Sequence, residues 1–472
     1  MLTYNLEKTP KHALYETLYS NIRDDILKGR IRENEKLPSK RSLANHLKIS
    51  VTTVENAYAQ LILEGYIHSE AGRGFFVNEM NISKADFNIE LPDAKIQEAE
   101  EEHDPGYTID FKINRSSISM FPFSTWSRIM RNILSEQPPE MLETVPYNGM
   151  YSLRKAISDH LRSFRNMPVS PSQIIIGAGT EYLYSRLMQL LGADSIFAIE
   201  DPGYKKFADI SGSQGTLWDY IPIDDQGMRT DRLRKSKANI IHVSPANHFP
   251  TGTVMPINRR IELLEWAYED GSRFIIEDDY DSELRYTGRT IPTMYALDDR
   301  NKVIYMNTFS KSLVPSIRIS YMVLPPMLQV RYRKSLSFYS CTVSSFEQLT
   351  LSRFISEGYF ERHINRLKQH YKDKRDRLIA AIEQSRLTEV AKIAEADAGT
   401  HFLLRFDTPM SDDDIRHAAD RSGIHFAMLS DYEKIHTVKN SRTIVVNYAG
   451  LEPEKIPLAV SLLEDIFLEE QN

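Results

Sequence analysis

The chain has 472 residues, of which 41% are hydrophobic and 26% charged, a balance that calls for packed cores and excludes a disordered polymer. At about 100 to 200 residues per domain it holds two or three units rather than one. No run approaches the roughly 18 apolar residues of a membrane-spanning helix, and the start Met1 to Glu7 lacks a charged stretch followed by an apolar one, so the expected setting is the cytoplasm, with no membrane partner. The single cysteine, Cys341, leaves no pair for an internal disulfide and no multi-cysteine zinc site; no metal is expected, and a buried structural thiol is the simpler reading of Cys341.

The formal net charge of -7 is unevenly distributed. Between Lys28 and Lys48 seven basic residues face two acidic ones, whereas residues 81–106 carry eight acids against two lysines. That acidic stretch reads as an extended, solvated linker. It separates an N-terminal unit, 1–80, from a large unit, 107–472.

Within the N-terminal unit, Tyr15, Leu18, Ile22 and Ile26 recur at helical spacing and predict a helix that stops near Gly29. Ser39 is the expected N-cap of a second helix with Leu43, Ala44 and Leu47 inward. A turn through Lys48, Ile49 and Ser50 leads into a third, on which Val54, Tyr58 and Leu61 align. Two short strands, Ile67–Ser69 and Gly74–Val77, then flank a Gly72-Arg73-Gly74 tip. The order is that of a winged helix-turn-helix.

The stretch LPSKRSLANHLKISVTTVENAYAQLILEGY, followed by AGRGFFV, resembles the DNA-binding pattern of the GntR regulators over about the first eighty residues. It implies double-stranded promoter DNA as a partner. Lys40 and Arg41, near the start of the second helix, are placed to reach phosphates. Ser50, Thr52, Thr53 and Asn56, at the start of the recognition helix, are expected to read bases in the major groove, with Arg73 entering the minor groove. Val51 stands where the family usually has arginine, which exchanges a guanine contact for a thymine-methyl contact.

From Tyr107 onward, apolar runs alternate with helical segments: Ile174–Ile176, Ile196–Ile199, Ile240–Val243, Phe274–Ile276, Val303–Met306 and Ile319–Val323. Continuous apolar strands between helices predict a mainly parallel α/β sheet covered on both faces, with the chemistry at the carboxyl ends of its strands. Glu277-Asp278-Asp279-Tyr280 follows one run and Asn307-Thr308-Phe309-Ser310-Lys311 the next. A carboxylate and a lysine there also suit an ordinary ion pair.

Lys311 with Ser312 to Arg318 after it is similar to the lysine signature of fold-type I pyridoxal phosphate enzymes, and Gly177-Ala178-Gly179-Thr180, Asp201-Pro202-Gly203-Tyr204 and Phe249-Pro250-Thr251-Gly252 occur in the expected order. The resemblance implies an aminotransferase-like fold with a smaller C-terminal α+β subdomain and pyridoxal 5'-phosphate as cofactor. It implies Lys311 as the Schiff-base lysine, Asp278 on the pyridine nitrogen, Tyr280 on the phenolic oxygen and Tyr204 stacked on the ring. Gly179, Thr180, Thr308, Ser310 and Arg318 are implied at the phosphate. Two departures stand out: Glu181 where glutamine is usual, and Asn247-His248 in place of His-Gln.

A GntR-like head on such a body is the architecture of the MocR subfamily, and the resemblance implies a homodimeric regulator that senses an amine or amino acid. The strand Thr443–Tyr448 carries no arginine, and neither does the preceding Met428-Leu429-Ser430-Asp431 loop, where GABA-responsive members place a carboxylate-binding one. Arg442, just before the strand, reads as an exposed charge. The expectation is therefore a regulator with at most weak transaminase activity, responding to an effector other than GABA: another amine, another amino acid or pyridoxal phosphate itself. A working aminotransferase with an appended DNA-binding head is the alternative.

Overall fold

The computed structural model describes residues 2–4, 13–79, 106–111, 117–286, 291–435 and 441–469. The chain divides into two compact units, Met1–His103 and Asp104–Asn472. The acidic segment read as a linker lies outside the described residues except for Gly106.

In the first unit, α1 (Leu14–Leu27), α2 (Lys40–Leu47) and α3 (Val51–Leu63) pack around Leu18, Ile22, Leu43, Val54, Tyr58 and Leu61. The Ser39 hydroxyl accepts the Ser42 amide at 3.2 Å and so caps α2. Lys48 then takes a left-handed φ of 55°, which turns the chain into α3. The wing has one strand more than its sequence suggested: β1 (Lys36–Leu37) joins β2 (Ile67–Glu70) and β3 (Gly74–Val77) in the order β1-β3-β2, all antiparallel. Tyr58 ties helix to wing, donating its phenol to the Pro38 carbonyl at 2.9 Å and meeting Phe75 edge-on.

The second unit is built on an eight-stranded sheet. After β4 (Ile109–Asp110), its strands are β5 (Ile174–Gly177), β6 (Ile196–Asp201), β7 (Leu217–Asp224), β8 (Gly227–Met228), β9 (Ile240–Val243), β10 (Phe274–Asp278), β11 (Val303–Thr308) and β12 (Ser320–Val323). They run in the order β5-β12-β11-β10-β9-β6-β7-β8, with β6, β7, β9, β10 and β11 parallel and β12 antiparallel to both its neighbours. Alternate residues serve opposite cores. Ile174 and Ile176 join one cluster and Ile175 another, while Ile304 and Tyr305 divide in the same way, so these strands carry apolar residues on both faces.

A smaller antiparallel sheet follows, β13 (Ala391–Ala394), β14 (His401–Phe406), β16 (Ala427–Met428) and β17 (Thr443–Asn447), in the order β13-β14-β17-β16. Separately, β15 (Ile424–His425) pairs with β4 in parallel. The Asp201 carboxylate, at the end of β6, accepts the amides of Lys434 at 2.8 Å and Ile435 at 2.9 Å and so ties this subdomain to the large sheet. Among the described residues no helix is long and apolar enough to cross a membrane, and no group of three or more His, Cys, Asp or Glu residues could hold a metal.

Candidate functional site

The parallel strands end on one side of the sheet, and a cavity of 710 Å³ opens there. All nine residues expected around a cofactor line it: Gly179, Thr180, Tyr204, Asp278, Tyr280, Thr308, Ser310, Lys311 and Arg318. They come from the ends of β5, β6, β10 and β11 and the turns that follow.

Asp278 is the last residue of β10 and is buried. One of its oxygens accepts the Tyr184 phenol at 2.8 Å, and the same phenol lies 3.0 Å from His242 Nε2. Oδ1, the other oxygen, is buried with no hydrogen-bond partner among the described residues. A buried carboxylate oxygen without a donor is costly. At a cavity wall it suits a ligand that brings a donor, such as a protonated pyridine nitrogen.

Lys311 stands one strand away, on the short helix Phe309–Ser312 that follows β11. Burial pushes its ammonium below the ordinary lysine range, against the opposing pull of the Asp281 carboxylate. Asp281 is itself raised to about 8 by burial, although Asn247 donates to it at 2.6 Å. Both shifts favour the neutral amine, which is the nucleophilic form. Asn247 Nδ2 also lies 3.4 Å from the Tyr280 phenol, so the Asn247-His248 departure leaves a hydrogen-bonding side chain beside Tyr280.

At the other end of the cavity, Gly179 precedes the helix Thr180–Leu191 with φ 93°, and a Cβ there would come within 2.6 Å of the Arg318 guanidinium. Glycine is what lets this arginine close over the helix N-terminus, a favourable place for an anion. Thr308 caps the Phe309–Ser312 helix, its hydroxyl accepting the Ser310 amide at 3.1 Å and the Ser320 hydroxyl at 2.8 Å. The helix N-terminus with Arg318, and the unpartnered Asp278 oxygen, fit the phosphate and pyridine ends of pyridoxal phosphate.

Several residues here escaped the sequence reading. Tyr184 and His242 support Asp278. His401 lines the cavity, bonds the Pro250 carbonyl at 3.1 Å and is lowered to about 4 by burial. Glu181, noted only as a departure, bonds both Arg318 and Lys206. Arg442 differs from its expected exposure: it is half-buried, with Nε lacking a partner among the described residues, and it does not line the cavity. It has a left-handed φ of 46°, and Asp412 accepts its amide at 2.8 Å.

In the head, Thr52 and Asn56 share one exposed face of α3 with Val51 and Glu55. Ser50 and Thr53 are committed locally, Ser50 as the N-cap of α3, accepting the Thr53 amide at 3.1 Å with the two hydroxyls 2.8 Å apart. Arg41 is exposed, whereas Lys40 pairs with Glu55 at 2.6 Å and Arg73 with Glu70 at 2.5 Å.

Comparison with known proteins agrees with this division. Residues 14–77 match the family model of bacterial regulatory proteins, gntR family, and residues 117–460 match aminotransferase class I and II. The uncharacterised HTH-type transcriptional regulator YdeL of Bacillus subtilis is 38% identical over 98% of both chains. The probable rhizopine catabolism regulatory protein MocR of Rhizobium meliloti is 30% identical over 98% of this chain and 95% of its own. The chain belongs to the MocR subfamily of GntR transcriptional regulators. Its large unit has the fold-type I aminotransferase fold: a crystal structure of Pyrococcus horikoshii kynurenine aminotransferase matches with a TM-score of 0.67 and 25% identity, over 77% of this chain and 91% of that one. Full-length similarity to regulators favours regulation over metabolism as the role of this MocR-type chain.

Proposed function

We propose that this MocR-type regulator carries pyridoxal phosphate on Lys311, binds promoter DNA through its head as a homodimer, and converts an encounter with an amine, an amino acid or the cofactor itself into a change in DNA binding. The observation that carries the reading is the buried Asp278 oxygen without a partner, one strand from Lys311 in a cavity that ends in a glycine-opened cationic cup. When bound, the cofactor supplies an aldehyde that links covalently to amines and a ring that withdraws electrons. Asp278 would hold the ring nitrogen's proton, Tyr280 would donate to the phenolic oxygen, and Tyr204 would cover the ring face. Gly179, Thr180, Thr308, Ser310 and Arg318 would hold the phosphate. Lys311 would present a neutral amine.

In the head, Arg41 would hold phosphates, with Lys40 joining it on leaving Glu55. Thr52 and Asn56 would read base edges. Ser50 and Thr53 would act chiefly by capping α3, and Arg73 would reach the minor groove on leaving Glu70. A two-fold dimer would match two half-sites.

Transamination would be weak. Among the described lining residues the only arginine is Arg318, at the phosphate end, so none of them sets a guanidinium opposite it for a substrate carboxylate. The test follows visible absorbance and promoter binding together as amines and amino acids are added, using the full chain and Lys311→Ala. Wild type should develop the absorbance of lysine-bound cofactor and change its DNA binding with one ligand class, and Lys311→Ala should do neither. Turnover of an amino acid and a keto acid at ordinary enzyme rates, without promoter binding, would overturn the proposal in favour of an aminotransferase.

A further inference from the structure

We propose that Glu181 weakens this chain's hold on the phosphate of its cofactor, so that occupancy of the site follows the free cofactor instead of being permanent. The inference rests on the reading of the cavity as a pyridoxal phosphate site, and it explains an anion in a place built for one.

The cup has three sources of positive potential. The helix Thr180–Leu191 starts at Gly179 without a side-chain cap, which leaves its positive end available to an anion. Arg318 closes over Gly179. Lys206, just beyond Tyr204, also lines the cavity. In the first turn of the same helix, Glu181 gives one oxygen to Arg318 and the other to Lys206. Burial alone would raise its pKa, but the hydrogen bonds from Lys206 and Arg318 prevail and hold the carboxyl below the ordinary carboxylate range. Near neutral pH it is therefore an anion, as a phosphate ester is.

A bound phosphate must share both cations with this carboxylate or displace it. Either course is less favourable than meeting a neutral amide in its place. The side chains are between 31% and 55% exposed, so solvent moderates the effect. A site whose phosphate end opposes its ligand in this way empties and fills with supply, as a sensor of the cofactor must.

The opposite role is conceivable on the same contacts: Glu181 could hold Arg318 in place for the phosphate. The two roles predict opposite signs. Full-length protein freed of cofactor would be titrated with pyridoxal phosphate and with pyridoxal, following visible absorbance and equilibrium dialysis. Glu181→Gln should bind pyridoxal phosphate about tenfold more tightly than wild type. Pyridoxal, lacking the phosphate, should change less than about twofold. The gain should be larger near about pH 8 than near about pH 5.5, because a phosphate ester takes its second negative charge around pH 6. Lys206→Met, which removes the opposing cation, should loosen pyridoxal phosphate by roughly tenfold and spare pyridoxal.

Equal or weaker binding of pyridoxal phosphate by Glu181→Gln, or an equal gain for pyridoxal, overturns the inference while leaving the cofactor site intact. If wild type binds neither compound, the cofactor reading falls and this inference with it.

Discussion

Asp278 accepts the Tyr184 phenol on one carboxylate oxygen at 2.8 Å, while its other oxygen is buried without a partner among the described residues. The tyrosine bond restrains the carboxylate's rotation, and Asp278 lines the cavity. Replacing Asp278 with Asn keeps the shape but removes the carboxylate proposed to hold a ring proton, and should weaken pyridoxal phosphate binding by about ten- to hundredfold. Tyr184→Phe leaves His242, 3.6 Å away, as the remaining neighbour and should cost roughly tenfold or less. Cofactor titration checks both, with circular dichroism to verify folding.

Gly179 combines a left-handed φ of 93° with a Cβ position 2.6 Å from the Arg318 guanidinium. Gly179→Ala should strain the turn by about 1 to 3 kcal/mol and push Arg318 out of the cup. Thermal melting should fall by a few degrees, and pyridoxal phosphate binding should weaken much more than pyridoxal binding. Unchanged discrimination between the two compounds would mean that Arg318 does not meet the phosphate.

The parts of this fold legible in sequence are those set by short-range rules. The Ser39 cap, the turn at Lys48 and the inward stripe of α3 follow from residues within a few positions of one another. Strand ends could be read to within two residues because the apolar runs stop at Ile276 and Met306, just short of the strand ends at Asp278 and Thr308. Contacts between distant segments could not. Tyr184 reaches Asp278 across 94 positions and Arg318 reaches Glu181 across 137, and nothing local in the sequence distinguishes Tyr184 from a core tyrosine. The two-residue β1 was missed because a strand that short has no period to detect, and the capping use of Ser50 was missed because a serine at a helix start suits base contact equally well.

In the head, Lys40 is held by Glu55 at 2.6 Å while Arg41 is exposed. Glu55→Gln frees Lys40 for the DNA backbone, so affinity at low salt should rise and the slope of log affinity against log salt should steepen by about one. Arg41→Ala should lower affinity for all sequences alike and flatten that slope by about one. Asn56→Ala should instead reduce discrimination among operator variants by about 1 to 3 kcal/mol with the salt slope unchanged. Promoter binding measured across a salt series separates the three.

Glu200, buried beside His248 with Oε2 3.4 Å from Nε2, has the geometry of an ion pair but not its charge. Burial raises Glu200 to about 8 and lowers His248 to about 3, so near neutral pH both are uncharged. The two titrations act on stability with opposite signs, and only that of Glu200 continues above about pH 6.5. Since the folded chain holds the Glu200 proton more tightly than the unfolded chain does, stability falls as pH rises from about 4.5 to about 8. His248 has the reverse sign, adding stability as pH rises to about 6.5, above which it is neutral in both states. Glu200→Gln keeps an acceptor for the Ser244 amide, 3.3 Å away, and has nothing to ionise. Its melting temperature should match wild type near about pH 5 and exceed it by several degrees near about pH 9, a difference of a few kcal/mol. A constant offset between the two proteins across that range would place the Glu200 proton outside the folding equilibrium and remove the case for a neutral pair.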